Sequence, residues 1–226
     1  MWRDAALVAG KDIRIEVRSR VVLHQVVPFA ALMLFLFAFA LGPERSALVA
    51  AAAGLFWVAV LFVTVLAVQR SAALESAPGA RDALRLSGLD PGGVFLGKTA
   101  AVVVQLLVLE VLLGAGVVLL YGARVHDYPM LAGTALAGTA GLAAAGTLYG
   151  SLTAGLRVRE TLLPFLLLPV AAPVLLAGTR LWQDSFATTA SADVTGTGPW
   201  LTLLLVFAVV YVALGVVVFG SLQEAS

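Results

Sequence analysis

Long apolar runs alternate with short polar breaks along nearly the whole of this 226-residue chain. Six runs stand out: Val21–Leu41, Ser46–Val68, Thr99–Tyr121, Met130–Ala154, Leu162–Gly178 and Trp200–Gly220. A helix rises about 1.5 Å per residue and the hydrocarbon core of a bilayer is about 30 Å thick, so about 20 apolar residues span it. Lipid offers the backbone no hydrogen-bonding partner, which leaves helices and closed barrels as the only spanning structures. Barrel strands are about 10 residues long and alternate in polarity. These runs are longer and apolar on every face. The pattern predicts an all-α integral membrane protein with six transmembrane helices.

The polar segments have patterns of their own. In the first twenty residues, Trp2, Ala6, Ala9, Ile13 and Val17 recur at helical spacing, with Arg3, Lys11, Arg14 and Arg18 off that stripe. This predicts an amphipathic interfacial helix over 1–20, with Trp2 at headgroup level, ahead of a six-helix permease domain over 21–226. A frayed, solvated tail is the plainer alternative. The longest polar connection is 69–98. Pro78-Gly79 turns the chain, Ala80–Ser87 reads as a short helix, and Gly88 suits its C-terminal cap. Asp90 then stands where an N-cap belongs, with Pro91 at the first helical position. Ala83, Leu84 and Leu86 give the short helix an apolar side, while Arg81, Asp82 and Arg85 keep the other side wet. Such a helix suits docking to a partner; an ordinary solvated connection is the other reading.

Two runs carry internal features. Run four holds Gly133, Gly138, Gly141, Gly146 and Gly150, small residues that let helix backbones approach closely in lipid. It is expected at the centre of a bundle, against its own chain or a second subunit. Run five contains Pro164, Pro169 and Pro173, each of which removes an intrahelical hydrogen bond, so a kinked or partly broken helix is expected. The stretch 179–199 that follows is rich in Thr, Ser, Ala and Gly and reads as an outer polar loop. It is either a re-entrant or interfacial element anchored by Trp182, or a flexible connection.

Composition narrows the function classes. Charged residues make up only 12% of the chain against about 25% in soluble domains. With no cysteine, disulfides, thiolate metal sites and Cys nucleophiles are excluded. The polar segments are too short for a separate soluble catalytic domain. Ala38-Phe39-Ala40 resembles a signal cleavage site, but the apolar run before it is too long for a signal peptide. Charge placement orients the chain. Eleven Lys and Arg residues fall in the N-terminal segment and in the connections after runs two and four, against Arg45, Arg124 and Arg180 on the other side. The positive-inside rule then puts both termini in the cytoplasm.

Candidate chemistry is sparse. Gly92 to Thr99 fits the phosphate-loop pattern G-x-x-x-x-G-K-[ST] letter for letter. That pattern works only between a buried strand and a helix, and here it opens a helix entering lipid. Lys98 is expected to snorkel to headgroups. Glu110, near the middle of run three, costs several kcal/mol as a lone carboxylate, roughly +3 on insertion scales. It is a functional candidate or a neutral acid used in packing, with Gln105 a loose neighbour. His24 and His126 lie at opposite faces and share no ligand site. No Ser/His/Asp, paired-carboxylate or metal-binding arrangement appears, so no catalytic residue is assigned.

Read in order, several segments resemble one family. They are Leu41-Gly42-Pro43-Glu44, Phe56-Trp57-Val58-Ala59-Val60-Leu61, Leu66-Ala67-Val68-Gln69-Arg70, Gly97-Lys98, and Gly155-Leu156-Arg157 through Leu167-Leu168-Pro169-Val170-Ala171-Ala172-Pro173. Together they resemble CcmB, the haem exporter protein B family, the membrane subunit of the cytochrome c maturation ABC transporter. The resemblance implies an ABC-2-type permease in the bacterial inner membrane, without an ATPase site of its own, that forms a homodimer within its complex. It implies a CcmA-like ATPase that holds the ATP, CcmC-like and CcmD-like membrane subunits, a CcmE-like chaperone, and haem as cargo. It makes Arg81, Asp82, Leu84, Arg85 and Leu86 part of a coupling helix that meets the ATPase. Gln69 departs from the family's frequent Glu before Arg, which puts a salt bridge at that end in doubt. A permease for another cargo, lipid or drug, and a non-transporting scaffold are the alternatives; nucleic acid is not an expected partner.

Overall fold

The computed structural model describes residues 1–19, 22–42, 44–75, 88–153, 159–186 and 194–225. Among them the chain is helical, with no strand. Helix α1 covers Trp2–Ser19. A π-helical turn, Val22–Val26, leads into α2, Val27–Leu41. Helix α3 is Arg45–Glu75 and α4 is Pro91–Gly116, prolonged by a second π-helical turn, Val117–Tyr121. Helices α5, α6 and α7 are Tyr128–Thr153, Arg159–Phe186 and Val194–Ala225. Among the described residues six stretches are long and apolar enough to cross a bilayer: His24–Leu41, Arg45–Ala73, Pro91–Tyr121, Tyr128–Thr153, Thr161–Phe186 and Gly196–Leu222. The six-helix membrane architecture expected from hydropathy is therefore present.

Local signals work where the chemistry is local. The Asp90 side chain accepts a hydrogen bond from the Gly93 N–H at 2.6 Å and Pro91 takes the first helical position, so α4 starts as its sequence predicts. Gly88 adopts φ +65°, a left-handed conformation that side chains with a Cβ avoid. The helix expected over 80–87 lies outside the described residues.

Helix α5 is the hub, packing against α3, α4, α6 and α7. Its small residues make this possible. A Cβ on Gly138 would come within 2.5 Å of the Trp57 ring, one on Gly141 within 2.6 Å of Phe207, and one on Gly146 within 2.6 Å of Val68. Lipid tails are as apolar as leucine, so close van der Waals contact, rather than water exclusion, holds these helices together. Helices α2 and α7 bury little and stand at the rim. Exposed apolar side chains such as Phe39, Val111, Phe165 and Val217 face outward, as a bilayer requires.

Two expectations change. Of the kinked or partly broken helix expected over run five, the break is absent: α6 is continuous through Pro164, Pro169 and Pro173. Its buried stripe is Leu163, Leu167, Ala171, Val174, Gly178, Leu181, Trp182 and Ser185, and all three prolines lie off it. The stretch 179–199 is largely helix rather than loop: α6 continues to Phe186 and α7 begins at Val194. Trp182 is no interfacial anchor. It is buried, stacks on Phe56 with ring centroids 3.8 Å apart, and meets Trp57 and Phe186 edge-on. The polar composition of 179–199 hid a helical spacing that carries the core stripe about two turns further, to Ser185.

Candidate functional site

At one end of the bundle α1 braces the two stems of the connection 76–87. It crosses the first turns of α4 and reaches the last turns of α3. The crossing is made possible by Gly93 and Gly97. A Cβ on Gly93 would lie 2.7 Å from the Met1 carbonyl oxygen, and one on Gly97 would lie 2.6 Å from the Ala5 carbonyl oxygen and 2.7 Å from Val8 Cβ. The glycines of the apparent phosphate loop thus form a G-x-x-x-G helix-packing face that seats α1.

Acidic side chains complete the seat. Asp4 accepts a hydrogen bond from the Asp90 N–H at 3.3 Å, and that contact, with the N-terminal amine at the same distance, holds its carboxyl below the usual range. Asp12 pairs with Lys98 at 3.6 Å and with Lys11 at 2.9 Å. Glu16 accepts a hydrogen bond from the Arg70 Nε at 2.9 Å. Lys98 is only 3% exposed, so it turns inward to α1 instead of reaching for headgroups. Arg70, whose neighbour Gln69 lacks a carboxylate, obtains one from α1. The inward stripe of α1 is therefore Asp4, Ala5, Val8, Asp12 and Glu16, while Trp2, Ala6 and Val17 of the expected apolar stripe are exposed. Glycine contact and ion pairing, not apolar burial, decide which face of α1 is covered.

Beside this brace, the ends of α3, α5 and α6 border a half-open pocket of about 440 Å³ lined by Leu66, Gln69, Arg70, Ala72, Thr153 and Leu163. Its polar lining is the Arg70 guanidinium, already paired with Glu16, the Gln69 amide and the Thr153 hydroxyl, over apolar walls.

Arg81, Asp82, Leu84, Arg85 and Leu86 lie outside the described residues, but both stems of their segment are held by α1. Glu110 lies in α4 and is 5% exposed. Its Oε1 accepts a hydrogen bond from the Thr139 hydroxyl of α5, which ties the two helices across the core. Its Oε2 has no partner among the described residues. Gln105 is half-buried with no partner for its Nε2 there, and no hydrogen bond joins it to Glu110. Thr139 escaped sequence reasoning because a threonine in a small-residue helix signals nothing by itself. Replacing Thr139 with valine is expected to lower stability by about 1 kcal/mol, typical of a single interhelical hydrogen bond in lipid, as an earlier midpoint on detergent titration. Glu110→Gln keeps an acceptor there and should shift the midpoint less. His24 and His126 are exposed and far apart in the fold; the His126 N–H caps the Ser185 carbonyl at 2.9 Å. Among the described residues no group of three His, Asp or Glu gathers.

The fold and this site define a polytopic helical membrane protein whose longest polar connection is braced at both stems by an N-terminal helix. The chain belongs to the CcmB family: the family model described as CcmB protein matches residues 4–223. It is similar to Heme exporter protein B of Paracoccus denitrificans, 28% identical over 217 residues that cover 93% of each chain. It is similar also to Heme exporter protein B of Pseudomonas aeruginosa, 29% identical over 80% of this chain and 81% of that protein.

Proposed function

We propose that this chain is the membrane subunit of an ABC-type haem exporter acting in cytochrome c maturation. The observation that carries the reading is the family match over nearly the full length, coupled with the six-helix architecture. A bundle with no assigned catalytic residue needs an external source of work. A CcmA-like ATPase supplies it from the cytoplasm, where the positive-inside rule puts the α1 end and both termini. The segment holding Arg81, Asp82, Leu84, Arg85 and Leu86 is the contact with that ATPase. Because α1 joins both stems of this segment to each other, a push there moves α3 and α4 together rather than fraying one. Nucleotide binding would thus bias a two-state bundle within a homodimer. The output is delivery of haem, or release of the haem-loaded CcmE-like chaperone, through the CcmC-like and CcmD-like subunits. The membrane is the bacterial inner membrane.

The test is ATP turnover by the complex purified with its co-expressed ATPase, with and without haem and the chaperone. Turnover should rise when both are present. Leu84→Asp places a charge on the apolar side of the proposed coupling helix, and turnover should fall to that of the ATPase alone. A permease for another cargo would keep the Leu84 effect and lose the haem response. A scaffold would show neither.

A further inference from the structure

We propose that the outward face of α1 is a binding site for anionic phospholipid. The charges of α1 are segregated around its axis. Asp4, Asp12 and Glu16 point inward and are engaged by Asp90, Lys98 and Arg70. Arg3, Lys11, Arg14 and Arg18 are exposed on the other side. Glu16 is paired with Arg70, and Asp12 is shared between Lys98 and the outward Lys11, so Arg14 and Arg18 face outward without a carboxylate partner among the described residues. A groove of about 370 Å³ lies on this face, lined by Leu7, Gly10, Lys11, Arg14, Ile15 and Arg18. Gly10 lacks a side chain to fill it, and a Cβ there would meet nothing within 4 Å. Three cationic groups thus converge over a floor bounded by two apolar side chains.

That pairing fits a phosphodiester headgroup with its acyl chains better than a free anion, which has no use for Leu7 and Ile15. The depth of α1 agrees. It flanks α4 over the first turns of the span Pro91–Tyr121 and precedes the first crossing, which puts it at headgroup level. Trp2 and Val17, 77% and 72% exposed, lie among the cations, as on helices that enter the interface. The lipid source is the cytoplasmic leaflet, whose anionic lipids attract polybasic segments; this clause rests on the orientation proposed above. The chemistry does not depend on the cargo, because lipid retention is read without ATPase or haem.

The full-length chain is reconstituted in nanodiscs of phosphatidylcholine alone or mixed with phosphatidylglycerol, and retained lipid is counted by native mass spectrometry. Wild type should retain phosphatidylglycerol selectively, lose it as salt rises, and keep it in the presence of inorganic phosphate. The triple variant Lys11→Gln/Arg14→Gln/Arg18→Gln should bind it on the order of 100-fold more weakly, since each surface cation contributes about fivefold. Arg124→Gln/Arg180→Gln, which removes exposed cations at the other end, should behave as wild type, as should the charge-keeping Arg14→Lys/Arg18→Lys. If the triple variant does not fold, the wild-type salt response and a photoreactive phosphatidylglycerol probe decide; its adducts should map to residues 7–18. Equal retention of both lipids by wild type, displacement by inorganic phosphate, adducts elsewhere, or exclusion of the probe from α1 by the bound ATPase would each overturn the proposal.

Discussion

Replacing Gly97 with leucine is expected to unseat α1. The new Cβ would meet the Ala5 carbonyl oxygen at 2.6 Å and Val8 Cβ at 2.7 Å. The first of these is backbone in a helix and cannot yield by changing rotamer. α1 therefore has to lift away from α4, and it takes the ion pairs with it. Lys98, 3% exposed while α1 lies over it, would lose Asp12 and open to water. Forcing extra methylenes into so close a contact costs about 1–3 kcal/mol. The seat equilibrium should accordingly shift by on the order of 10- to 100-fold towards the open form. The chain has no cysteine, so a single Val8→Cys label reports directly on the seat. Val8 is 4% exposed and its cysteine should be protected in the parent, then modified rapidly when Gly97→Leu is added. Gly114→Leu on the same helix, where a Cβ meets nothing within 4 Å, should leave the label protected. Rapid labelling in the parent, or continued protection in Gly97→Leu, would refute the seat. On the function proposed here, the unseated variant also loses ATPase stimulation while the six crossings stay folded, because α1 contributes only Val8 to the clusters of buried apolar residues.

Trp57→Ala should be the most damaging single change within the bundle. Trp57 is fully buried, meets Phe56 and Trp182 edge-on, and lies over Gly138 and Gly178. It therefore touches α5 and α6 from α3 at once. Truncation opens a cavity where three helices meet. Because lipid removes much of the transfer term, the loss is mostly dispersion contact, about 3 kcal/mol. The diagnostic experiment is a double-mutant cycle with Gly178→Ala. The three atoms closest to a Cβ on Gly178 all belong to the Trp57 ring. In the parent, Gly178→Ala should destabilise by about 1–3 kcal/mol through overpacking. In the Trp57→Ala background the same change fills vacated space and should be neutral or stabilising. Additive effects on the unfolding midpoint would mean that the ring does not occupy this notch.

Much of the fold is legible along the chain, for a reason particular to membranes. A bilayer forbids unpaired backbone, so length and hydropathy alone define six helices. Caps are equally local, and Asp90-Pro91 marks the start of α4 without reference to anything distant. Small residues at Gly138, Gly141 and Gly146 mark α5 as the helix others approach. Local readings fail where composition overrides spacing. The Thr- and Ser-rich stretch after Gly178 obscured Leu181, Trp182 and Ser185, which continue the buried stripe of α6. The phosphate-loop lettering had the right glycines and the wrong ligand, because what fills the space above Gly93 and Gly97 is α1.

By itself, then, the sequence determined the crossings, the Asp90 cap of α4, the central helix and the family resemblance that the full-length match supports. Tertiary structure alone decided which face of α1 is covered, that Lys98 turns inward, that Arg70 finds Glu16 54 residues away, and that Glu110 meets Thr139 29 residues on. Inside an apolar run every face looks alike, so periodicity cannot tell a side chain touching lipid from one touching a neighbouring helix. Only the packing of one helix on another distinguishes them.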